Sequence, residues 1–190
     1  MQHTAHAHAP LNTEGFAHPA RNVPLFEVQK GMSVADFGAG SGHYVWPIAD
    51  AIGEHGHLFA IDIQRDLLKR IHNEAHRKGF KNVKIIWSDL ETPKASKLAD
   101  RSIDLVLISN LLFQIENKHA VLKEARRILR PSGSLIVIDW SDSFGMMGPH
   151  KDHVVTKEKG RTLIQENDLE LVREFPAGAH HWGLIARPKA

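Results

Sequence analysis

The chain of 190 residues contains no cysteine, and this absence excludes several kinds of chemistry. Structural disulfides, thiolate metal sites and cysteine nucleophiles all need a thiol. Long apolar runs are also missing: no stretch approaches the roughly 18 residues of a membrane span, and the start lacks the basic and apolar segments of a secretory signal. The sequence therefore predicts a cytoplasmic protein without a membrane span.

An excess of one charge is missing as well, since 24 Lys and Arg face 22 Asp and Glu for a formal net charge of +2. No single face is obviously basic, so a nucleic acid partner is not favoured. Histidine is abundant, with 14 copies. Because no histidine pair lies beside a carboxylate at helical spacing, we predict no metal site and interpret the histidines, including His180 and His181, as solvated.

The composition predicts one folded domain after a short arm. Residues 1–15 are polar, His-rich and aperiodic, with too few apolar groups to offset the entropy of ordering them. We predict a flexible arm there. The 42% hydrophobic content is enough for one substantial core, so residues 16–190 are predicted to form a single domain.

From Ser33 onward, short β-branched runs alternate with amphipathic stretches, which is typical of βαβ units around a parallel sheet. Stripes of apolar residues at helical spacing predict helices that end at Gly53, at Gly79 and at Pro131 to Gly133. A last helix is predicted at 156–165, and the final two strands, with no helix between them, should form an antiparallel hairpin. The predicted strands are residues 34–37, 58–61, 83–87, 103–108, 135–138, 169–175 and 181–187.

A glycine-rich loop after the first predicted strand is the most informative segment of the chain. It reads Asp36-Phe37-Gly38-Ala39-Gly40-Ser41-Gly42 and leads from a buried strand into a helix. Glycine lets a ligand touch the backbone there, and the free N–H groups at the helix start supply donors and a positive dipole. Asp36 adds a carboxylate, which suits a ligand with an ammonium group better than one with a pyrophosphate.

Further acidic residues follow the next two strands. Asp62 comes about 20 residues past Gly42, where a carboxylate can accept hydrogen bonds from both ribose hydroxyls. Ser88 and Asp89 end the third strand, and Asp89 is placed to accept a hydrogen bond from an exocyclic amine. All of these lie at the carboxyl edge of the predicted sheet, where such folds bind ligands. Asp36 and Asp62 are therefore predicted to bracket a nucleoside.

With these motifs in order, the sequence resembles the class I S-adenosylmethionine-dependent methyltransferases over about residues 31–139. Residues 104–110 resemble the fourth-strand motif of the family, and residues 129–135 resemble the turn before its fifth strand. The similarity is greatest to small bacterial enzymes grouped with ubiquinone and menaquinone C-methyltransferases. The resemblance implies an α/β fold, a Rossmann-like doubly wound sheet of seven strands, mostly parallel with an antiparallel last strand, and helices on both faces.

The resemblance also implies the cofactor and the residues that bind it. S-adenosylmethionine is expected to contact Asp36, Gly38, Ala39, Gly40, Gly42, Asp62, Ile63, Ser88, Asp89, Leu90, Ser109 and Asn110. As in similar small methyltransferases, residues 19–26 are expected to form a short helix over the cofactor mouth, with Phe16 and Asn22 near the ligand. The alternative is an ordinary surface helix.

A nicotinamide dehydrogenase is the nearest competing class. Its fingerprint needs a third glycine one position later than this loop provides, where His43 stands. The catalytic Tyr-x-x-x-Lys of short-chain dehydrogenases is also absent, because Tyr44 is the single tyrosine and Ile48 lies four residues on. We therefore favour a methyltransferase over an NAD-dependent oxidoreductase.

The acceptor is less defined than the cofactor. Apolar residues in two loops indicate a small or lipophilic acceptor, although they could also be packing residues: Leu111, Leu112, Phe113, Phe144, Met146 and Met147. If the acceptor must lose a proton, a general base is needed, and the sequence does not choose among His43, Asp139, Asp142, His150 and His153. An RNA or protein methyltransferase and a cofactor-binding module without turnover stay open.

Few inserted segments are available to cover the predicted site. The irregular parts are the arm, the loop at 109–116 and residues 140–155. We therefore expect a comparatively open pocket. Three explanations for an open pocket remain: the arm closes it, a second subunit of a homodimer closes it, or the substrate is large.

Overall fold

The computed structural model describes residues 17–144 and 148–189. Its centre is a single sheet of seven strands in the order β3-β2-β1-β4-β5-β7-β6. The strands are β1 (Ser33–Phe37), β2 (His57–Asp62), β3 (Val83–Trp87), β4 (Ile103–Ser109), β5 (Leu129–Trp140), β6 (Leu169–Gly178) and β7 (His181–Pro188). The predicted arm, Phe16, Met146 and Met147 lie outside the described residues.

The sheet is parallel on one side and antiparallel on the other. Strands β1 to β5 pair in parallel, whereas β7 runs antiparallel to both β5 and β6. The last strand therefore lies beside the fifth, between β5 and β6. This confirms the expected seven-stranded, mostly parallel sheet and its antiparallel end.

Helices cover both faces of this sheet, as predicted. Successive residues of the central strands alternate between two cores: in β4, Leu105 and Leu107 belong to one, and Val106 and Ile108 to the other. Two helices cover one face, and the other three lie along the opposite face or its rim. The α-helices of the described residues are α1 (Pro19–Asn22), α2 (Val45–Ile52), α3 (Arg65–Lys78), α4 (Lys118–Ile128) and α5 (Lys157–Glu166).

Local signals in the sequence set the ends of the helices. The Asn117 side chain accepts a hydrogen bond from the Ala120 amide at 3.1 Å and starts α4, and Thr156 accepts one from the Lys159 amide at 3.2 Å and starts α5. Helix α3 ends at Gly79. After α1, the chain continues as a 3-10 turn over Val23–Phe26.

One boundary differs from its prediction. Pro131 and Gly133 were predicted to close α4, but α4 ends at Ile128 and both residues lie inside β5. The pairing of β5 with β4 shifts register there, between the pair Ile103–Leu129 and the next pair at Leu105. A proline is tolerated in a strand at such a bulge, because its missing N–H is not needed for the ladder.

The topology makes one edge of the sheet suitable for a ligand. The parallel strands β1 to β4 end together there. On one side β1 pairs with β2 and then β3, and on its other side it pairs with β4, which the chain forms only after β3. Ligands of doubly wound folds bind at this change in strand order. In residues 17–144 and 148–189, no helix has the length and apolar character needed to cross a bilayer.

Candidate active site

Two adjoining hollows open at this carboxyl edge. The larger has a volume of about 540 Å³ and the smaller about 300 Å³. Gly38, Gly40 and Gln114 line both of them, so the two hollows adjoin at these residues, and we refer to the pair as the crevice. The glycine-rich loop is therefore the floor that both halves share.

The loop between β1 and α2 is held close to the ends of neighbouring strands. The amides of Gly38 and Ala39 donate hydrogen bonds to the Ile61 carbonyl at 2.8 Å and 3.1 Å. Gly38 has a φ of +72°, and a Cβ there would lie 2.8 Å from Leu111 Cδ1. Only glycine fits both constraints without a shift, which leaves its backbone exposed to the crevice.

Asp62 organises the smaller hollow. Its Oδ2 accepts a hydrogen bond from the Gly40 amide and its Oδ1 one from the Gln64 amide, each at 2.8 Å. Each carboxylate oxygen keeps a lone pair for a further partner. Nearby, Asp89 Oδ1 accepts a hydrogen bond from the Glu91 amide at 2.9 Å, which orients that carboxylate at the hollow's rim.

Asp36 brings a buried carboxyl group to the larger hollow. It is the last but one residue of β1, two positions before Gly38, and is 3% exposed. Burial raises the pKa of Asp36 to about 7, and the negative charge of Asp62 acts in the same direction. A positively charged group in the hollow would offset both effects, so Asp36 is suited to a cationic ligand.

Asn110 adds an unsatisfied acceptor to the same hollow. Its backbone has a φ of +53°, and its amide donates to the Ile138 carbonyl at 2.9 Å. The side-chain Oδ1 is buried and has no hydrogen-bond partner among the described residues. Because buried polar atoms are normally paired, Asn110 is a further position at which a ligand would complete a hydrogen bond.

The short helix α1 lies at the mouth of the larger hollow. Ala17, His18 and Pro19 line the hollow. Asn22 does not line it: its Nδ2 donates to Tyr44 Oη at 2.9 Å and to the Ala177 carbonyl at 3.0 Å. Asn22 thus supports Tyr44, which does line the hollow, from behind.

The structure brings together all but one of the residues predicted to bind the cofactor. Asp36, Ala39, Ser109 and Asn110 line the larger hollow; Asp62, Ile63, Ser88, Asp89 and Leu90 line the smaller; Gly38 and Gly40 line both. Gly42 is the exception, because it lines neither. A Cβ at Gly42 would lie 3.1 Å from Ile71 Cγ1, so this glycine serves the packing of the loop against α3.

Of the five candidate bases, only His43 lines the crevice. Asp139 is fully buried outside it, and its Oδ1 accepts a hydrogen bond from the Trp140 amide at 2.8 Å. Burial raises the pKa of Asp139 to about 7, although the amides of Trp140, Phe113 and Leu112 favour its charged form. Asp139 is therefore tied to the loop after β4 and does not line the crevice, while its Oδ2 has no hydrogen-bond partner among the described residues.

The other candidate bases lie outside the crevice. His150 is exposed at the start of a 3-10 turn, Lys151–His153, where its ring accepts a hydrogen bond from the Asp152 amide at 3.4 Å. Asp142 pairs with His180 at 3.3 Å on the surface. His153 lines a separate hollow. Asp139 and His150 therefore do not line the crevice, and their roles as bases stay untested predictions.

Sequence reasoning missed several residues that line the larger hollow. Gln114 lies in the segment after β4, Trp140 is the last residue of β5, and His181 is the first residue of β7. His181 was interpreted as solvated, yet it is 3% exposed. The available signal was its place at the start of the last strand, because an antiparallel strand beside β5 begins at the carboxyl edge.

The donor and acceptor set of the crevice fits one ligand class. Two carboxylates and the orphaned Asn110 oxygen suit an ammonium group and ribose hydroxyls, and the glycine backbone allows close contact. The carboxyl group of Asp36 beside the glycine-rich loop suits an ammonium group better than a pyrophosphate. The fold and the site together define a Rossmann-like enzyme that uses S-adenosylmethionine.

Comparison with known proteins places the chain more closely. A family model described as a methyltransferase domain matches residues 28–180. The demethylmenaquinone methyltransferase of Listeria monocytogenes serotype 4b is 32% identical over 167 residues, which are 83% of this chain and 69% of that protein. The chain therefore belongs to the methyltransferase-domain family and is an S-adenosylmethionine-dependent methyltransferase of class I.

Two further comparisons show how far the similarity extends along the chain. The arsenite methyltransferase of Aquipseudomonas alcaligenes is 33% identical over 57% of this chain, and the match spans only 33% of that protein. A crystal structure of a SAM-dependent methyltransferase from Aquifex aeolicus has a TM-score of 0.83 and 24% identity, covering 94% of this chain and 93% of the other. That likeness shows the same fold over nearly the whole length of both.

Proposed function

We propose that this chain transfers a methyl group from S-adenosylmethionine to a small, apolar acceptor that binds in the larger hollow. The observation that carries the proposal is that Gly38 and Gly40 line both hollows. The smaller hollow offers the carboxylates of Asp62 and Asp89 for a nucleoside. The larger hollow offers Asp36 for an ammonium group and, beside it, apolar surface of Pro19, Tyr44 and Trp140.

The residues that hold the cofactor follow from the chemistry of the site. Asp62 suits the ribose hydroxyls, Asp89 the adenine amine, and Asp36 the ammonium group of the amino-acid part. Asn110 supplies an acceptor that has no partner among the described residues. These roles use groups whose positions are fixed by backbone hydrogen bonds or by burial, so little reorganisation is needed on binding.

The main task of the chain is to orient the acceptor. When bound, S-adenosylmethionine supplies a methyl group that is already activated by a positively charged sulfur. The side chains of Tyr44 and Trp140 and the start of α1 border the acceptor space, so they position the acceptor and exclude water. His43 is the one sequence-predicted base that lies there to receive a proton.

The relatives suggest two kinds of acceptor, and the composition favours one. One relative is named for demethylmenaquinone, an organic acceptor, and another for arsenite. This chain has no cysteine, so it cannot offer a thiolate to a soft, thiophilic acceptor such as arsenic. We therefore favour a small, apolar organic acceptor. The cytoplasmic location, the single domain over 16–190 and a homodimer stay predictions.

Calorimetric titration of the purified chain with S-adenosylmethionine and, separately, with NAD tests the cofactor assignment. We expect binding of S-adenosylmethionine and none of NAD. Asp62→Ala should weaken the binding by about 1–3 kcal/mol, since a charged acceptor is lost, whereas Asp50→Ala, an exposed carboxylate on α2, should leave it unchanged. Preference for NAD, or equal effects of the two variants, would contradict the assignment.

The acceptor needs a second assay. Release of S-adenosylhomocysteine is followed with pools of small apolar compounds, with RNA and with a protein extract. Turnover with an apolar compound supports the proposal. Turnover with RNA or protein alone, or tight cofactor binding with no turnover in any pool, would replace it with one of the alternatives that the sequence leaves open.

A further inference from the structure

Glu124 is a buried carboxylate on α4 that does not line the crevice. It is 4% exposed and shares its helix with the core residues Ala125 and Ile128. Burial by itself raises the pKa of Glu124, but the hydrogen bonds from Arg127 and Ser96 outweigh this effect and hold the pKa below its usual value. Glu124 is therefore charged near pH 7, and a buried charge is stable only where it has partners.

The partners of Glu124 tie α4 to the segment 88–102, which joins β3 to β4. Glu124 Oε1 accepts hydrogen bonds from the Ser96 amide at 2.8 Å and from Ser96 Oγ at 2.5 Å. Arg127, which follows one turn later on α4, donates to both oxygens of Glu124 at 2.8 Å. The same guanidinium donates to the Leu98 carbonyl at 2.9 Å. Helix α4 thus holds the middle of the segment through one carboxylate and one arginine.

The backbone of this segment is strained and needs such support. Lys94, Lys97 and Arg101 have φ angles of +54°, +58° and +51°, although none of them is glycine. Residues with a Cβ rarely adopt these angles, and they keep them only where the surrounding structure imposes them. The bonds from α4 reach the segment at Ser96 and Leu98, on either side of Lys97, so they act where the strain lies.

A hydrogen bond inside the segment connects the part that Glu124 holds with Asp89. Ser88 Oγ donates to the Ala95 carbonyl at 2.6 Å. Ser88 directly precedes Asp89, and Ala95 directly precedes Ser96. The position of Ser96 on α4 therefore bears on the position of Asp89 through this one bond.

The start of α4 provides a second connection to Asp89. The amide of Asn117, the residue before α4, donates to Glu91 Oε2 at 2.5 Å. The Glu91 amide in turn donates to Asp89 Oδ1 at 2.9 Å. Asp89 and Leu90 line the smaller hollow. Contacts from both ends of α4 thus fix the wall of the hollow that carries Asp89.

The described part of the chain contains a comparable carboxylate that has no such connection to the crevice. Asp104 Oδ2 accepts a hydrogen bond from the Ser33 amide at 2.8 Å, and Asp104 Oδ1 pairs with Arg130. Ser33 and Asp104 lie at the starts of β1 and β4, at the opposite edge of the sheet, and neither lines the crevice. Asp104 is therefore a matched control for Glu124.

We propose that Glu124 positions Asp89 for the 6-amino group of the cofactor's base, and so sets the preference of the smaller hollow for an aminopurine. This inference rests on the proposed function, which assigns Asp89 to the adenine amine. Glu124 is a positioning residue, because it acts through Ser96, Ala95 and Ser88 and does not touch the cofactor. Without its carboxylate the segment can relax from its strained conformation, and Asp89 then leaves the place where it meets the amine.

Calorimetric titration with two ligands tests this proposal. The ligands are S-adenosylhomocysteine and its analogue with hydrogen in place of the 6-amino group, which offers Asp89 no donor. We expect the wild-type chain to bind S-adenosylhomocysteine about tenfold more tightly than the analogue. In Glu124→Ala this ratio should fall to about two, and in Asp104→Ala it should stay near about ten.

A third ligand separates a local effect from a general loss of structure. 5′-Methylthioadenosine keeps the base and lacks the amino-acid part, so its affinity relative to S-adenosylhomocysteine reports on the contacts of that part. In Glu124→Ala this second ratio should stay within about twofold of the wild-type value, because Asp36 is not held by α4. A fall of both ratios together overturns the positioning role.

The outcomes for the wild-type chain distinguish the two proposals. If S-adenosylhomocysteine does not bind, the proposed function fails. If it binds but the analogue binds equally well, the contact of Asp89 with the base is wrong, and the inference falls while the cofactor assignment stands. If the first ratio is unchanged in Glu124→Ala, or falls equally in Asp104→Ala, the role of Glu124 is overturned.

A measurement on the wild-type chain covers the case in which Glu124→Ala does not fold. Coupling between two sites is reciprocal, so engagement of Asp89 by the amino group must tighten the bond between Ser96 and Glu124. Both ligands are used at the same multiple of their dissociation constants, which makes the overall stabilisation equal. Hydrogen exchange of the Ser96 amide should then be slower with S-adenosylhomocysteine than with the analogue, and exchange of the Ser33 amide should not differ. Equal exchange at Ser96 contradicts the proposal.

Discussion

Two glycines of the same loop have similar backbone angles but different tasks. Gly38 has a φ of +72° and Gly42 a φ of +82°. A Cβ at Gly38 would meet Leu111 above the crevice, whereas a Cβ at Gly42 would meet Ile71 of α3. The motif that predicts cofactor contact at both positions therefore combines one residue that lines the crevice with one that packs against α3.

Substitution by alanine should separate these tasks. Gly38→Ala is expected to weaken binding of S-adenosylmethionine at least tenfold, because the new methyl group displaces Leu111 and covers the exposed backbone. Gly42→Ala should lower the free energy of unfolding by about 1–3 kcal/mol, through strain at positive φ, with a smaller loss of affinity in the fraction that folds. Calorimetry and urea unfolding of both variants measure the two effects, and the same profile in both variants would refute this division.

The raised pKa of Asp36 should make cofactor binding depend on pH. With a pKa of about 7, Asp36 is largely protonated at pH 6 without ligand, and it must ionise to bind an ammonium group. Affinity for S-adenosylmethionine should therefore rise about fivefold from pH 6 to pH 7, a range in which the α-amino group of the ligand stays protonated. In Asp36→Asn the affinity should be lower and flat over this range. A wild-type profile that is flat or falls with pH contradicts the role of Asp36.

At the scale of elements, the predictable strands are those whose surroundings match their local pattern. Strands β1, β2 and β4 are continuous apolar runs, and central parallel strands covered by helices on both faces need that pattern. The start of β5 was predicted six residues too late, at 135 instead of Leu129, because Pro131 and Gly133 are strong local signals for a helix end. The register shift against β4 that accommodates them is a tertiary feature.

The start of α1 should contribute directly to binding. Ala17, His18 and Pro19 line the larger hollow, and Asn22 ties α1 to Tyr44. Deletion of residues 1–20 should therefore weaken binding of S-adenosylmethionine several-fold, since part of the wall of the hollow is removed. The matched deletion of residues 1–16 keeps Ala17, His18 and Pro19. Titration of both truncated chains checks the contrast, and equal affinities of the two would show that α1 is an ordinary surface helix.

The site residues that lie at the ends of parallel strands could be predicted from the sequence. Those that meet only through the tertiary fold could not. Asp36, Asp62 and Asp89 each come at or just after the end of a parallel strand, so the strand pattern alone brings them to one edge. His181 and Trp140 meet there only because β7 runs back beside β5. Asp139, one residue before Trp140, points away from the ligand space, a difference that the alternation of a strand allows but no local signal assigns.

Burial of Asp36 lowers the free energy of unfolding of the molecule without ligand, and the size of this effect depends on pH. The pKa of Asp36 is about 7 in the folded chain and 3.8 in the reference state, so between these values the folded chain holds more protons than the unfolded one. Stability from this group therefore falls as pH rises from about 4 to about 7. Asp139 acts in the same direction over the same range.

Asp36→Asn should expose this cost in the molecule without ligand. Asparagine resembles the protonated carboxyl group, so the difference between the variant and the wild-type chain should be smaller at pH 5 than at pH 7.5. The variant should gain about 2 kcal/mol relative to the wild-type chain between these values, because the carboxyl is ionised in the unfolded chain while it stays largely protonated in the folded chain up to about pH 7. Urea unfolding of both proteins at the two pH values measures this difference of differences. A gain that is absent, or that shrinks as pH rises, would mean that Asp36 is ionised without penalty and is not held ready for a cation.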